Sequence, residues 1–133
     1  MNVFVSGPLM FREVILAVTG KTFTAQCGLL RGYARLVLND DSGQSAMIPF
    51  PDRAVDGVVY CDVDDESLKR MDDFLGRRFE RCEVTVEAEN GEWLEAEAYE
   101  LKAKDRIQLT AHDWDEDDYR QNHLKKVLAS CRT

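Results

Sequence analysis

Ser6-Gly7-Pro8 interrupts an apolar N-terminus between Val3-Phe4-Val5 and Leu9-Met10. A strand that breaks in this way and passes at once into a helix leaves several backbone N–H groups unpaired. Such groups can hold a carboxylate, a carbonyl oxygen or another anion. Pro8 suits the first helical position, where its missing N–H would have been an orphan anyway, and it removes one donor from the turn. The same residues also make an ordinary strand-to-helix connection, since Gly-Pro breaks mark turns more often than sites. Both readings stand at this point. His112 and His123 are too few and too badly spaced for a metal cluster, and each is read as structural. Cys27, Cys61, Cys82 and Cys131 are scattered without paired spacing. That pattern argues for reduced, mostly buried thiols in the cytoplasm over a disulfide frame or a zinc site. No metal and no cofactor is expected.

The bulk numbers narrow the class. At 133 residues the chain is expected to form one domain, 1–133, large enough to bury a core without staples. With 44% hydrophobic and 32% charged residues it reads as a globular protein and not a disordered one. The net charge of −8 disfavours nucleic acid and anionic membrane as partners, because phosphate binding needs a basic stripe. No apolar run is long enough to span a bilayer, and no basic region leads into a long apolar core, so neither a membrane anchor nor a signal peptide is expected. The acidic runs 62–66 and 113–118 read as helix starts, where carboxylates favour the positive end of the helix dipole.

The elements that must position the turn follow from periodicity. A short helix is expected over about 11–18, stopped at Thr19-Gly20-Lys21. Thr22–Leu30 and Tyr33–Leu38 read as two strands parted by Arg31-Gly32. Ala46–Pro51 is extended but holds two prolines, which assigns it to an edge or a loop. Val55–Val63 is a further strand, with Gly57 marking a bulge or a close backbone approach. Asp64 caps a second helix whose apolar face is Leu68, Met71, Phe74 and Leu75, ended by Gly76. Phe79–Glu89 and Trp93–Leu101 alternate cleanly around Asn90-Gly91, the signature of an antiparallel hairpin. In the second of these strands Tyr99 falls with Glu95 and Glu97, opposite Leu94, Ala96 and Ala98. The stretch 102–110 is irregular, and a last helix is expected over about Asp115–Ser130, with His123 on its apolar stripe. The class is α+β: a curled, mainly antiparallel sheet or partial barrel with helices outside.

Two stretches in this order, Phe4-Val5-Ser6-Gly7-Pro8-Leu9-Met10 and Met71-Asp72-Asp73-Phe74-Leu75-Gly76-Arg77-Arg78-Phe79-Glu80-Arg81, resemble the gamma-glutamylcyclotransferase-like family. The likeness is greatest to its branch named for avirulence-induced proteins. Gly32-Tyr33-Ala34-Arg35, Gly57-Val58-Val59-Tyr60, Ala98-Tyr99 and Trp114-Asp115 with His123-Leu124 resemble family segments in register. The resemblance implies a small, mainly antiparallel β-barrel with flanking helices (1–101) and a tail with a C-terminal helix (102–133). It also implies internal acyl transfer, in which the α-amine of a γ-glutamyl group attacks its own γ-carbonyl to release an amine and 5-oxoproline. The expected partner is a small γ-glutamyl or related amine or carboxylate ligand, bound by a cytoplasmic monomer.

That chemistry needs a base for the α-ammonium and donors that hold the carboxylate or polarise the carbonyl. The resemblance gives the donors to the backbone of Ser6, Gly7, Pro8 and Leu9. It gives the base to a Glu at the position that is Leu75 here, and Leu takes no proton. Ser6 stands where the family has an aromatic Tyr. Asp72, one turn before Leu75 on the same helix face, is the fallback base and is also read as a structural Asp. Three outcomes remain: an active enzyme with a relocated base, a relative that kept the pocket but changed its chemistry, or an interaction domain with a vestigial pocket. The first two require that the opening turn and Leu75 share a hollow.

Overall fold

The structure, a computed structural model, describes residues 1–40 and 42–131. Strand β1 (Val3–Val5) leads through one 3-10 turn, Pro8–Met10, into α1 (Arg12–Thr19). The long strands β2 (Ala25–Leu38) and β3 (Ser45–Tyr60) come next, followed by α2 (Asp65–Leu75). The hairpin β4 (Phe79–Ala88) and β5 (Trp93–Leu101) precedes a 3-10 segment, Ala103–Gln108, and the short β6 (Leu109–Asp113). Two helices, α3 (Glu116–Asn122) and α4 (Leu124–Cys131), complete the described chain.

The strands run β3-β1-β5-β4-β2, and a further β2–β3 pairing closes the ring into a five-stranded barrel, with β6 added beside β2. Pairing is antiparallel except between β1 and β5, which meet in parallel at Val3 and Glu97, so the barrel is mixed. Alternation sorts the apolar side chains into two cores. Phe4, Leu30, Met47, Val55, Val59, Val84, Val86, Ala96 and Ala98 fill the barrel. Val3, Val5, Leu9, Val14, Ile15, Tyr60, Leu68, Met71, Tyr99 and Leu101 lie among those packed between barrel and helices. Gly57 allows β1 to approach β3 closely, because a Cβ there would strike the Val5 carbonyl oxygen and come within 2.6 Å of the Phe4 ring.

Several sequence expectations are corrected. The two strands parted by Arg31-Gly32 are one, β2, because Gly32 at φ 86° lets the chain shift register and continue. Ala46–Pro51 keeps its expected place at an edge: Ala46–Pro49 pairs with β2 on one side and, among the described residues, with no other strand, and Pro51 falls in the unpaired stretch 50–53. The irregular stretch 102–110 holds the 3-10 segment and runs into β6, whose two pairs, Leu36 with Asp113 and Leu38 with Leu109, are too few to leave a period in the sequence. The final helix is split at His123 (φ −132°, ψ −24°), whose ring is packed against Gly43 and lies 5.5 Å from Tyr119. The four cysteines are free but not mostly buried: Cys27 is exposed and the other three are half-buried. None of the described helices is long and apolar enough to cross a membrane.

Candidate functional site

The opening turn is held from two directions. Arg35 Nη1 donates to the Ser6 carbonyl at 2.9 Å, and Tyr60 Oη donates to the Leu9 carbonyl at 2.7 Å. The Met10 N–H takes the Gly7 carbonyl at 2.9 Å and the Phe11 N–H takes that of Pro8 at 3.2 Å. Every carbonyl from Ser6 to Leu9 is thus occupied. Among the described residues, the N–H groups of Gly7 and Leu9 have no acceptor. The groups this backbone leaves wholly unpaired are therefore donors, the polarity needed to receive a carboxylate or a carbonyl oxygen. Ser45 packs so close to Gly7 that a Cβ at that position would collide with its Oγ, which accounts for glycine there.

Ser6, Gly7, Pro8 and Leu9 line a cavity together with Leu75, so the turn and the end of α2 face each other across one hollow. Asp64 starts α2 by accepting from the Ser67 N–H at 3.1 Å, and Gly76 at φ 87° stops it one residue after Leu75. The cavity lies where the two cores meet, with Phe4 and Met47 on the barrel side and Phe79 and Tyr99 on the helix side. It is narrow: its volume is about 30 Å3, room for roughly one or two waters. Among the described residues no carboxylate, Lys, Arg or His lines it.

Asp72 is not part of this lining. It sits in a neighbouring surface hollow with Asp73, Arg77 and Arg81, and Phe79 and Tyr99 border both spaces. Tyr99 Oη donates to Asp72 Oδ1 at 2.6 Å, and Arg81 Nε lies 3.3 Å from the same oxygen. Burial and the adjoining Asp72 carboxylate push the Tyr99 hydroxyl well above its ordinary pKa. Burial likewise raises Tyr60 to about 12. Sequence reasoning placed Tyr99 on the glutamate face of β5 and missed it as a wall of the cavity; it is only 8% exposed because α2 covers that end of the strand. The signal was its type, an aromatic among glutamates. Ser45, Met47 and Phe79 carried no such mark.

The family model for gamma-glutamyl cyclotransferase, AIG2-like proteins matches residues 3–116. No curated protein sequence matches the chain. A solution structure of a protein from Arabidopsis thaliana superposes with a TM-score of 0.74 at 25% identity, over 97% of this chain and 86% of that one. A second solution structure from the same organism gives 0.73 at 27% identity, over 98% and 79%. A gamma-glutamyl cyclotransferase structure at 14% identity shares the fold, with a TM-score of 0.68 over 99% of this chain and 86% of that one. Through the match over residues 3–116, and with the closed barrel and flanking helices of these neighbours, the chain belongs to the gamma-glutamyl cyclotransferase, AIG2-like family.

Proposed function

We propose that the chain uses the turn Ser6–Leu9 to bind a small γ-glutamyl or related carboxylate or amine ligand, and that it lacks the base which makes cyclisation fast. The free N–H groups of Gly7 and Leu9 receive an oxygen of the ligand, and Phe4, Leu75 and Phe79 surround its methylenes. Pro8 supplies shape and no donor. Because the cavity is narrow, a ligand enters by turning Leu75 or Met47 aside. Release of 5-oxoproline requires an uncharged α-amine, and nothing in the lining accepts its proton at neutral pH. The observation that carries this reading is Leu75, an aliphatic side chain on the cavity wall where the resemblance puts a glutamate. The reading takes the protein as a cytoplasmic monomer working without metal or cofactor.

A second reading is favoured by the 2.6 Å contact between Tyr99 and Asp72. Tyr99 borders the cavity, so a proton taken by its oxygen can pass to Asp72 outside it. In that case the protein is an active cyclotransferase with a relocated base, and Asp72→Asn abolishes a measurable turnover.

The deciding experiment is release of 5-oxoproline from γ-glutamyl-amino acids and γ-glutamyl-lysine peptides. The native protein is expected to be slow or silent, and Leu75→Glu to raise the rate by about 10²–10⁴-fold, the usual worth of a general base. A folded Leu75→Glu protein with no gain overturns the assignment of the site. Thermal stabilisation by small carboxylates, lost in Gly7→Val, tests binding separately from chemistry.

A further inference from the structure

A second pocket, of about 220 Å3, opens on the other side of Pro8. It is contiguous with the first at three points: Pro8 lines both, Gln44 precedes Ser45, and Phe74 precedes Leu75. Its apolar wall is Pro8, Phe74, Tyr119 and Val127, and its polar side chains are Gln44, His123, Lys126 and the hydroxyl residues Ser42 and Ser130.

Two features set it apart from a chance hollow. Gln44 Nε2 is buried without a hydrogen-bond partner. A buried amide donor left unmet is costly, and each such group calls for an explanation. Among the described residues Lys126 also has no ion pair, and no carboxylate lines the pocket, although 25 of the 133 residues are acidic. In a chain of net charge −8, a cavity whose side chains offer an amide donor and an ammonium, with no acid among the described residues of its lining, is complementary to a negative group. The His123 ring cannot retreat on the side of Gly43, where even a Cβ would collide with it, so one rim is fixed.

We propose that this pocket is a second binding site, for a small carboxylate carried on an apolar body. The carboxylate accepts from Gln44 Nε2 and Lys126 Nζ, and the body lies against Phe74 and Tyr119. An apolar wall with a few convergent donors is the usual make-up of a small-molecule site. The proposal does not depend on what the turn cavity binds, but the shared Pro8 makes the two sites neighbours.

Phenylacetate and phenylacetamide are the probes, titrated into the full chain and followed by calorimetry and by amide chemical shifts. Phenylacetate is expected to saturate in the millimolar range or below and to move the Gln44 side-chain NH2 signals. Phenylacetamide is expected to bind at least about tenfold more weakly, as is phenylacetate to Lys126→Met, the loss of one charge-assisted hydrogen bond. Lys125→Met, one position away on α4, should bind phenylacetate like the native protein. Gln44→Leu, which removes the unmet donor, is expected to fold and to lose affinity. Three results overturn the site: no saturation by phenylacetate, equal binding of acid and amide, or shifts centred on the Gly7 and Leu9 N–H groups that Lys126→Met leaves unchanged.

Discussion

At the scale of single residues the site depends on which side chain meets which wall. Spacing alone put Leu75 at a helix end and the turn at a strand end, by short-range rules; that the two belong to one hollow came from the family resemblance, and both line the same cavity. Tyr99 was not legible as a wall of it, since it is covered through contact with Asp72 of α2, 27 positions away in the chain. Tyr99→Phe tests its role in stability. The substitution removes the donor to Asp72, whose side chain remains 34% exposed and paired with Arg81. We expect a loss of about 1.5–2 kcal/mol, the lower part of the range for a hydrogen bond to a charged group. It should show as a lower urea midpoint with an unchanged slope.

Elements were read correctly where one face alone is buried. The hairpin of β4 and β5 and the Asp64 cap of α2 are of this kind, fixed by alternation and by side-chain chemistry that acts within three residues. The failures share a cause: contacts remote in sequence outweighed the local pattern. β2 runs through Arg31-Gly32 because β3 pairs with it on either side of the shift, and α3 stops at His123 although neither Gly nor Pro stands there. Gly57 was expected to mark a bulge or a close approach, and it is the latter, opposite Gly28 across the β2–β3 ladder. Gly57→Ala should therefore cost about 1–3 kcal/mol, as overpacking does, or more, because the obstructing atom includes a backbone oxygen that cannot rotate away. Chemical denaturation measures it; a change within error would mean that β1 can lift from β3 without loss.

For the whole molecule, all four tyrosines are shifted the same way. Burial is the largest cause for each, raising Tyr33, Tyr60 and Tyr119 from 10.0 to about 12, and Tyr99 further still. A folded-state value above the unfolded one means that the native protein holds the proton more tightly. The associated stability is complete below pH 10 and declines as pH rises from 10 toward 12 and above. Spectrophotometric titration should then show little phenolate near pH 10, followed by a steep rise together with loss of circular dichroism. Independent ionisation near pH 10 with the fold intact would contradict the burial described. One side chain also joins distant parts of the molecule. Arg35 holds the carbonyls of Ser6 and Asp56, each at 2.9 Å, while its guanidinium lies 5.1 Å from the ring centre of Trp114, whose own Nε1 donates to Gly43. Limited proteolysis that clips the tail ahead of Trp114 would thus be felt first at the opposite end of the polypeptide, as a slackened N-terminal loop whose amides exchange faster while the barrel still gives a native spectrum.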